Sequence, residues 1–234
     1  MRILLIGEYS NVHATLAEGL RALGQQVTVV SNGDFWKDYP RDIDLSRRPG
    51  KWGGLAYLAK TMATLHKLRG YDVVQLINPM FLELKAERIA PIYKYLRKHN
   101  KKVFLGAFGM DYYWVHENIT RMPLRYSDFN IGNRLRNDEP AMRERRDWIG
   151  TAKESLNKMI AEDCDGIIAG LYEYWACYGP LFPHKTTFIP FPIKPKTQPM
   201  AYQEGSAPHP LRLFIGISKG RSAYKGTDIM LEAA

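Results

Sequence analysis

The unbroken apolar run Ile3–Ile6 is the strongest constraint on how this chain folds. It shows no polar alternation, so both faces of the strand need cover, as in a parallel sheet with helices on each side. Gly7 follows, and Asn11–Leu23 then carries Val12, Leu16, Leu20 and Leu23 at helical spacing. Gly24 stands where a glycine just past a helix end belongs, and Gln26–Ser31 reads as the next strand. This is a β–α–β unit.

The same rhythm recurs downstream. Gly53–Leu68 reads as a helix, Tyr71–Ile77 as a strand ended by Asn78-Pro79, Lys85–His99 as a helix and Lys101–Gly106 as a strand. After an interruption come helix Trp148–Glu162, strand Gly166–Ala169, helix Tyr172–Tyr178 and strand Thr186–Ile189. The expected fold is α/β, a Rossmann-like doubly wound parallel sheet.

Two internal stretches break the rhythm. Asn32–Gly50 reads as a long loop bearing Phe35, Trp36 and Tyr39. Ala107 to about Asp147 is long, aromatic, Arg-rich and weakly periodic, and loops of that length in compact domains are usually functional. Phe191–Pro210 holds Pro192, Pro195, Pro199, Pro208 and Pro210, the composition of a linker. Leu211–Ile217 is apolar again and leads through a basic Gly-bearing loop into a helical pattern that stops without a cap. The expected organisation is a domain over 1–190, a linker over 191–210, and the opening strand and helix of a second, truncated Rossmann-like domain over 211–234.

Charge and motifs narrow the chemistry. A net charge of +9 suits anionic partners, but the basic residues are scattered rather than gathered in one stripe, which speaks against nucleic acid. Only one glycine of a GxGxxG turn is present, Gly7, which argues against NAD or FAD, and no Walker A spacing occurs. Cys164 and Cys177 are the only cysteines and read as free thiols of a reducing compartment. No secretory leader is read at the start and no run nears the ~18 apolar residues of a membrane span. The expected location is therefore the cytoplasm. Lys85–Lys102 clusters cations around apolar positions, which offers peripheral attachment to an anionic membrane, or else a buried helix with a basic outer face.

Four segments are candidate sites. Gly7-Glu8-Tyr9-Ser10-Asn11 follows the first strand, where ligands bind in open α/β sheets, and His13 lies one turn on. It reads equally as a plain turn with a helix cap. Gly106–Asp111 follows the fourth strand, and Asp111 would accept a hydroxyl proton there or cap a helix. Tyr112, Tyr113, Trp114 and His116 suit sugar rings or an ordinary core. Ser218, Lys219, Arg221 and Lys225 place cations before a helix start, where a diphosphate is favoured. Two DxD triplets, Asp42–Asp44 and Asp163–Asp165, lack the setting of a metal site.

These residues together resemble the retaining GT-B glycosyltransferases of family 4. The likeness runs from MRILLIGEYS through YDVVQLIN, VFLGAFGMD, CDGIIAG and FIPFPI to LFIGISKGRSAYKGTDIMLEAA. It implies two Rossmann-like domains, acceptor on the N-terminal one and sugar nucleotide on the C-terminal one, with the diphosphate gripped by Arg and Lys without metal or other cofactor. Lys225 matches the family lysine. Arg221 stands closer to it than is usual, and Lys219 competes for the arginine's place. Asp111 takes the catalytic position, and Gly7, Glu8, Tyr9, His13, Tyr112 and Trp114 the acceptor side. The implied reaction is sugar transfer from a nucleoside diphosphate sugar to a hydroxyl of a glycan or lipid-linked acceptor, in polysaccharide or glycolipid synthesis in the cytoplasm or at the inner face of the cytoplasmic membrane; with only the start of the donor domain, residues 1–234 alone are expected to transfer little or no sugar. The alternatives are a GT-B-like sugar-nucleotide epimerase and a non-catalytic α/β ligand-binding module.

Overall fold

The computed structural model describes residues 1–195, 214–216 and 227–233. Seven parallel strands form one sheet: β1 (Arg2–Ile6), β2 (Gln26–Ser31), β3 (Ile43–Asp44), β4 (Val73–Leu76), β5 (Lys102–Ala107), β8 (Gly166–Ala169) and β9 (Thr186–Phe188). Their order is β3-β2-β1-β4-β5-β8-β9. A two-residue hairpin, β6 (Asn130–Ile131) with β7 (Arg134–Leu135), stands apart and is antiparallel. The fold is α/β and Rossmann-like, as the apolar runs require.

The double cover foreseen for β1 is realised residue by residue. Ile3 and Leu5 pack with Ala17, Leu16 and Leu20 of α1 (Val12–Ala22) on one face. Leu4 and Ile6 join the larger core on the other, with Ile89, Ile92, Tyr93 and Leu96 of α3 (Ala86–His99). Burying one such side chain contributes roughly 1.5–3 kcal/mol. The apolar face of α3 is therefore spent on the core. Of its cations Arg97 pairs with Asp163 and Asp165, and Lys101 just after the helix pairs with Asp72. The basic-outer-face reading of Lys85–Lys102 is the one this packing supports.

The two irregular stretches contain more structure than their weak periodicity suggests. Asn32–Gly50 holds β3, which pairs through Val30–Ile43 and Ser31–Asp44. The segment after β5 holds α4 (Tyr112–Thr120), the small hairpin and α5 (Glu139–Trp148). The expected helix Trp148–Glu162 is α6 (Ala152–Asp163), which starts four residues later because Trp148 closes α5 instead. Gly150 takes a φ of 70°, the left-handed value that breaks a helix, and Thr151 caps the next one through the amide of Lys153. In the Arg-rich stretch Arg136 pairs with Asp138 and Arg146 with Glu139, so these arginines belong to local ion pairs.

Both DxD triplets are held by structural contacts. Asp42 accepts from the amide of Val29 and pairs with Arg21, and Asp44 pairs with Arg41. Asp165 accepts from the amide of Val103 and pairs with Arg97 and Lys102. Among the described residues no cluster of three or more His, Cys, Asp or Glu side chains is placed to hold a metal ion.

The chain divides into two compact units, Met1–Ile193 and Lys194–Ala234. In the second, residues 214–216 are not in a strand, and α8 (Thr227–Ala233) is helical as its periodicity suggests. The expected diphosphate residues Ser218, Lys219, Arg221 and Lys225 lie outside the described residues, as does most of the expected linker. α2 (Gly50–Thr64) and α7 (Tyr172–Tyr178) complete the first unit. Among the described residues no helix is long and apolar enough to cross a membrane.

Candidate functional site

The chain leaves β1 toward β2 and later returns on the other side of β1 to form β4. Such a switch point opens a crevice outside the strands' carboxyl ends. Here the crevice is a cavity of about 100 Å³ lined by Gly7, Glu8 and Tyr9 after β1, Asn32 and Phe35 after β2, and Met80 to Glu83 after β4, with Tyr57 of α2. At ~30 Å³ per water it holds about three waters or one small polar group.

Gly7 makes this geometry attainable. Its φ is 87°, and a Cβ there would stand 2.2 Å from Cγ2 of Ile77. Only glycine lets the chain turn in the left-handed region while touching the end of β4. Its amide donates to the carbonyl of Val30 at 2.8 Å, which fixes the loop to β2.

Glu8 is buried and caps α1 from outside the helix. One carboxylate oxygen accepts from the amide of Ala14 at 2.8 Å and the other from that of His13 at 3.3 Å. Asn11, the residue before the helix, sits in a left-handed conformation and makes no cap bond, so Glu8 supplies the acceptors. Burial raises the Glu8 pKa, and the amides oppose that rise. Tyr9 is pushed up to about 12, first by burial and then, against the Asn78 hydrogen bond, by the nearby carboxylates of Asp34, Glu83 and Asp111. It stays a neutral phenol.

On the far side of the cavity the side-chain amide of Asn32 donates to the carboxylate of Glu83, and the amide of Glu83 donates to the Tyr57 hydroxyl at 3.1 Å. The turn that delivers Phe35 is strained: Asp34 and Phe35 both have a φ of 59°. Asp34 holds it by accepting from the amide of Ser10 at 2.9 Å and from Lys37. The lip is thus acidic and aromatic, with Glu8 and Glu83 among Tyr9, Tyr57 and Phe35.

The remaining expected site residues are structural. His13 is fully buried, its Nδ1 2.7 Å from the Gly7 carbonyl and its Nε2 3.2 Å from the Gln75 amide. A carbonyl only accepts, so the proton sits on Nδ1, and Nε2 accepts from Gln75. Burial lowers the His13 pKa to about 4, so the ring is neutral and ties the first loop to β4. A cleft-facing His13 is corrected to a core His13, because its position in the helix points at the sheet.

Asp111 is likewise fully buried. Oδ1 accepts from the amide of Trp114 at 2.8 Å as the cap of α4, and Oδ2 accepts from the Tyr178 hydroxyl at 2.8 Å. Of its two readings the geometry is that of a helix cap, with no surface for a substrate hydroxyl. Tyr112 and Trp114 are buried too, not displayed to a sugar ring. The Trp114 ring packs edge-on to Tyr174, and Tyr112 stacks on His116. Adjacent residues on a short helix cannot all face one cleft, and the core takes these rings first.

Of the residues expected on the acceptor side, Gly7, Glu8 and Tyr9 converge on one cavity. Asn32, Tyr57 and Glu83 complete it. Their signal in the sequence is only that Asn32 and Glu83 follow strands that end at the same sheet edge; Tyr57 carries none, since it arrives through a crossover helix. The described lobe is a Rossmann-like domain with a polar, acidic-lipped switch-point cavity. No protein-family model and no curated protein matches the chain.

Proposed function

We propose that this chain is the acceptor-binding lobe of a retaining glycosyltransferase that moves a sugar from a nucleoside diphosphate sugar to a hydroxyl of a glycan or lipid-linked acceptor. The observation that carries the reading is the pair of carboxylates, Glu8 and Glu83, at a cavity walled by Tyr9, Tyr57 and Phe35. Carboxylates accept from a hydroxyl that enters the cavity, and the exposed Phe35 ring offers an apolar face beside it. The same carboxylates repel a diphosphate, so the donor's charge belongs elsewhere, and the cationic run Lys219, Arg221 and Lys225 offers the place.

In this reading the described lobe binds and orients rather than transfers protons. Glu83 and Tyr9 position the acceptor hydroxyl, and Lys225 with Arg221 offsets the charge that develops on the leaving diphosphate. No metal is called for, and none of this assigns Asp111 a chemical step. The reaction belongs to polysaccharide or glycolipid synthesis in the cytoplasm.

Replacing Glu83 by Ala tests the acceptor role. Transfer from a panel of sugar nucleotides, measured with a complete donor-binding domain present, should show the acceptor KM raised about tenfold, about 1.4 kcal/mol, with the donor KM unchanged. An unchanged acceptor KM, or a rise in the donor KM alone, removes the cavity from the proposal.

A further inference from the structure

α2 is apolar on two opposite faces, and the first unit covers only one of them. Gly53, Tyr57 and Thr61 recur every fourth residue and are buried. On the other side Trp52, Leu55 and Met62 are 84%, 57% and 54% exposed, and Ala59 between them is exposed as well. The spacing of 52, 55, 59 and 62 is that of one helical stripe, and it lies opposite Tyr57 at 100° per residue. A contiguous apolar stripe on water-facing helix marks an interaction surface.

The charges around the stripe say what covers it. Between Asp44 and Asp72 the sequence has no carboxylate but has Arg47, Arg48, Lys51, Lys60, Lys67 and Arg69, all exposed. Arg47, Arg48 and Lys51 stand at one end of the helix, and Lys67 and Arg69 just past the other. A protein groove would need to be both apolar and flanked by acid at each end. An anionic bilayer meets both demands at once: its headgroups attract the cations, and its interface takes up Trp52 and the aliphatic residues. At 15 residues the helix is about 22 Å long, too short to span and long enough to lie in the interface.

We propose that α2 docks the protein on anionic lipid surfaces, stripe down, with the flanking cations on the headgroups. The surface differs from the basic face of α3, whose apolar side is buried. Tyr57 on the opposite face of α2 lines the switch-point cavity, so a bilayer under the stripe lies one helix diameter, about 10 Å, from that cavity. Resting on the glycosyl-transfer reading, this favours an acceptor hydroxyl carried on a lipid; the docking itself does not depend on that reading.

Co-sedimentation of the whole chain with lipid vesicles tests it without any sugar transfer. Vesicles of equal parts phosphatidylcholine and phosphatidylglycerol should bind at least about tenfold more tightly than phosphatidylcholine alone, a gap that closes when salt near 0.5 M shortens screening to about 4 Å. Leu55→Asp should weaken binding about tenfold, by burying a charge and repelling lipid phosphate. Leu23→Asp, at a still more exposed apolar residue after α1, should leave binding unchanged. Circular dichroism should show both variants folded, since both sites are exposed. Equal binding to neutral vesicles, no effect of Leu55→Asp, or an equal loss in Leu23→Asp would overturn the proposal. So would a dimer in sedimentation velocity that Leu55→Asp dissolves while no vesicle binds, which assigns the stripe to a second copy of the chain.

Discussion

Asp111 and Tyr178 meet in the core, and the proton they share shapes the stability of the protein against pH. Burial raises the Asp111 carboxyl from 3.8 to about 7, more than the Trp114 amide and Tyr178 lower it. Between these values the folded protein keeps a proton that the unfolded chain has released. The contribution is therefore complete below about pH 4 and is lost as pH rises through 7. His13 acts in the opposite direction: held neutral down to about 4, it costs stability as pH falls below 6.5. The two offset each other in the wild type, so a comparison separates them. Asp111→Asn keeps the cap geometry but cannot titrate. Chemical denaturation should show the wild type losing up to about 4 kcal/mol against this variant between pH 4 and 8. A difference that stays flat or grows in the wild type's favour would mean the folded carboxyl is ionised. The residue scale was half legible. That Asp111 follows β5 before a helix allows both a cap and a base; only its burial under Tyr178 chooses the cap.

At the scale of elements, helix boundaries depend on a few polar side chains. α5 begins with Asp138, whose carboxylate accepts from the amide of Ala141 at 3.1 Å, with Pro140 in the first turn. Asp138 also pairs with Arg136, which orders the approach from the small hairpin. Asp138→Ala should lower stability by about 1 kcal/mol in thermal unfolding, and Asp138→Asn, which keeps a cap oxygen, by clearly less. Equal losses would place the effect in the ion pair instead. β1, α1 and β2 were readable because their apolar periods are uninterrupted. β3 was not: two residues carry no period, and only pairing with β2 makes them a strand. α4 hid for another reason. Tyr112, Tyr113 and Trp114 stand in a row rather than on one face, and all three are buried, so the helix shows no single apolar stripe.

At the scale of the whole molecule, the proposed function divides between the Glu83 cavity of the first unit and the cationic run Lys219, Arg221 and Lys225. If Lys225 holds the donor diphosphate, Lys225→Ala should cut kcat/KM for sugar transfer by at least about a hundredfold, roughly 2.7 kcal/mol, while acceptor binding at the Glu83 cavity stays intact. Calorimetry with the acceptor and turnover with the donor read the two separately. Retained turnover would remove the diphosphate role of Lys225 and leave the lobe as a binding module. The excess of basic over acidic residues suits an anionic partner but does not say which cations would meet one. Arg97, Lys101 and Lys102 turned out to pair with Asp165 and Asp72. Between Asp44 and Asp72 six cations and no carboxylate occur, and of these Lys60 pairs with Asp44 at the edge of the stretch.

The amino-acid sequence by itself determined the class of fold and the order of its main elements. Buried parallel strands and their covering helices write their periods directly into the chain, because each residue's neighbours in sequence settle which face it shows. Tertiary structure alone decided the site. Glu8, Asn32, Tyr57 and Glu83 come from segments far apart in the chain, and they meet only because strand order reverses at β1 and β4. It likewise decided which face of α2 is covered: the side with Gly53, Tyr57 and Thr61 is buried, while the more apolar side with Trp52, Leu55 and Met62 stays in water.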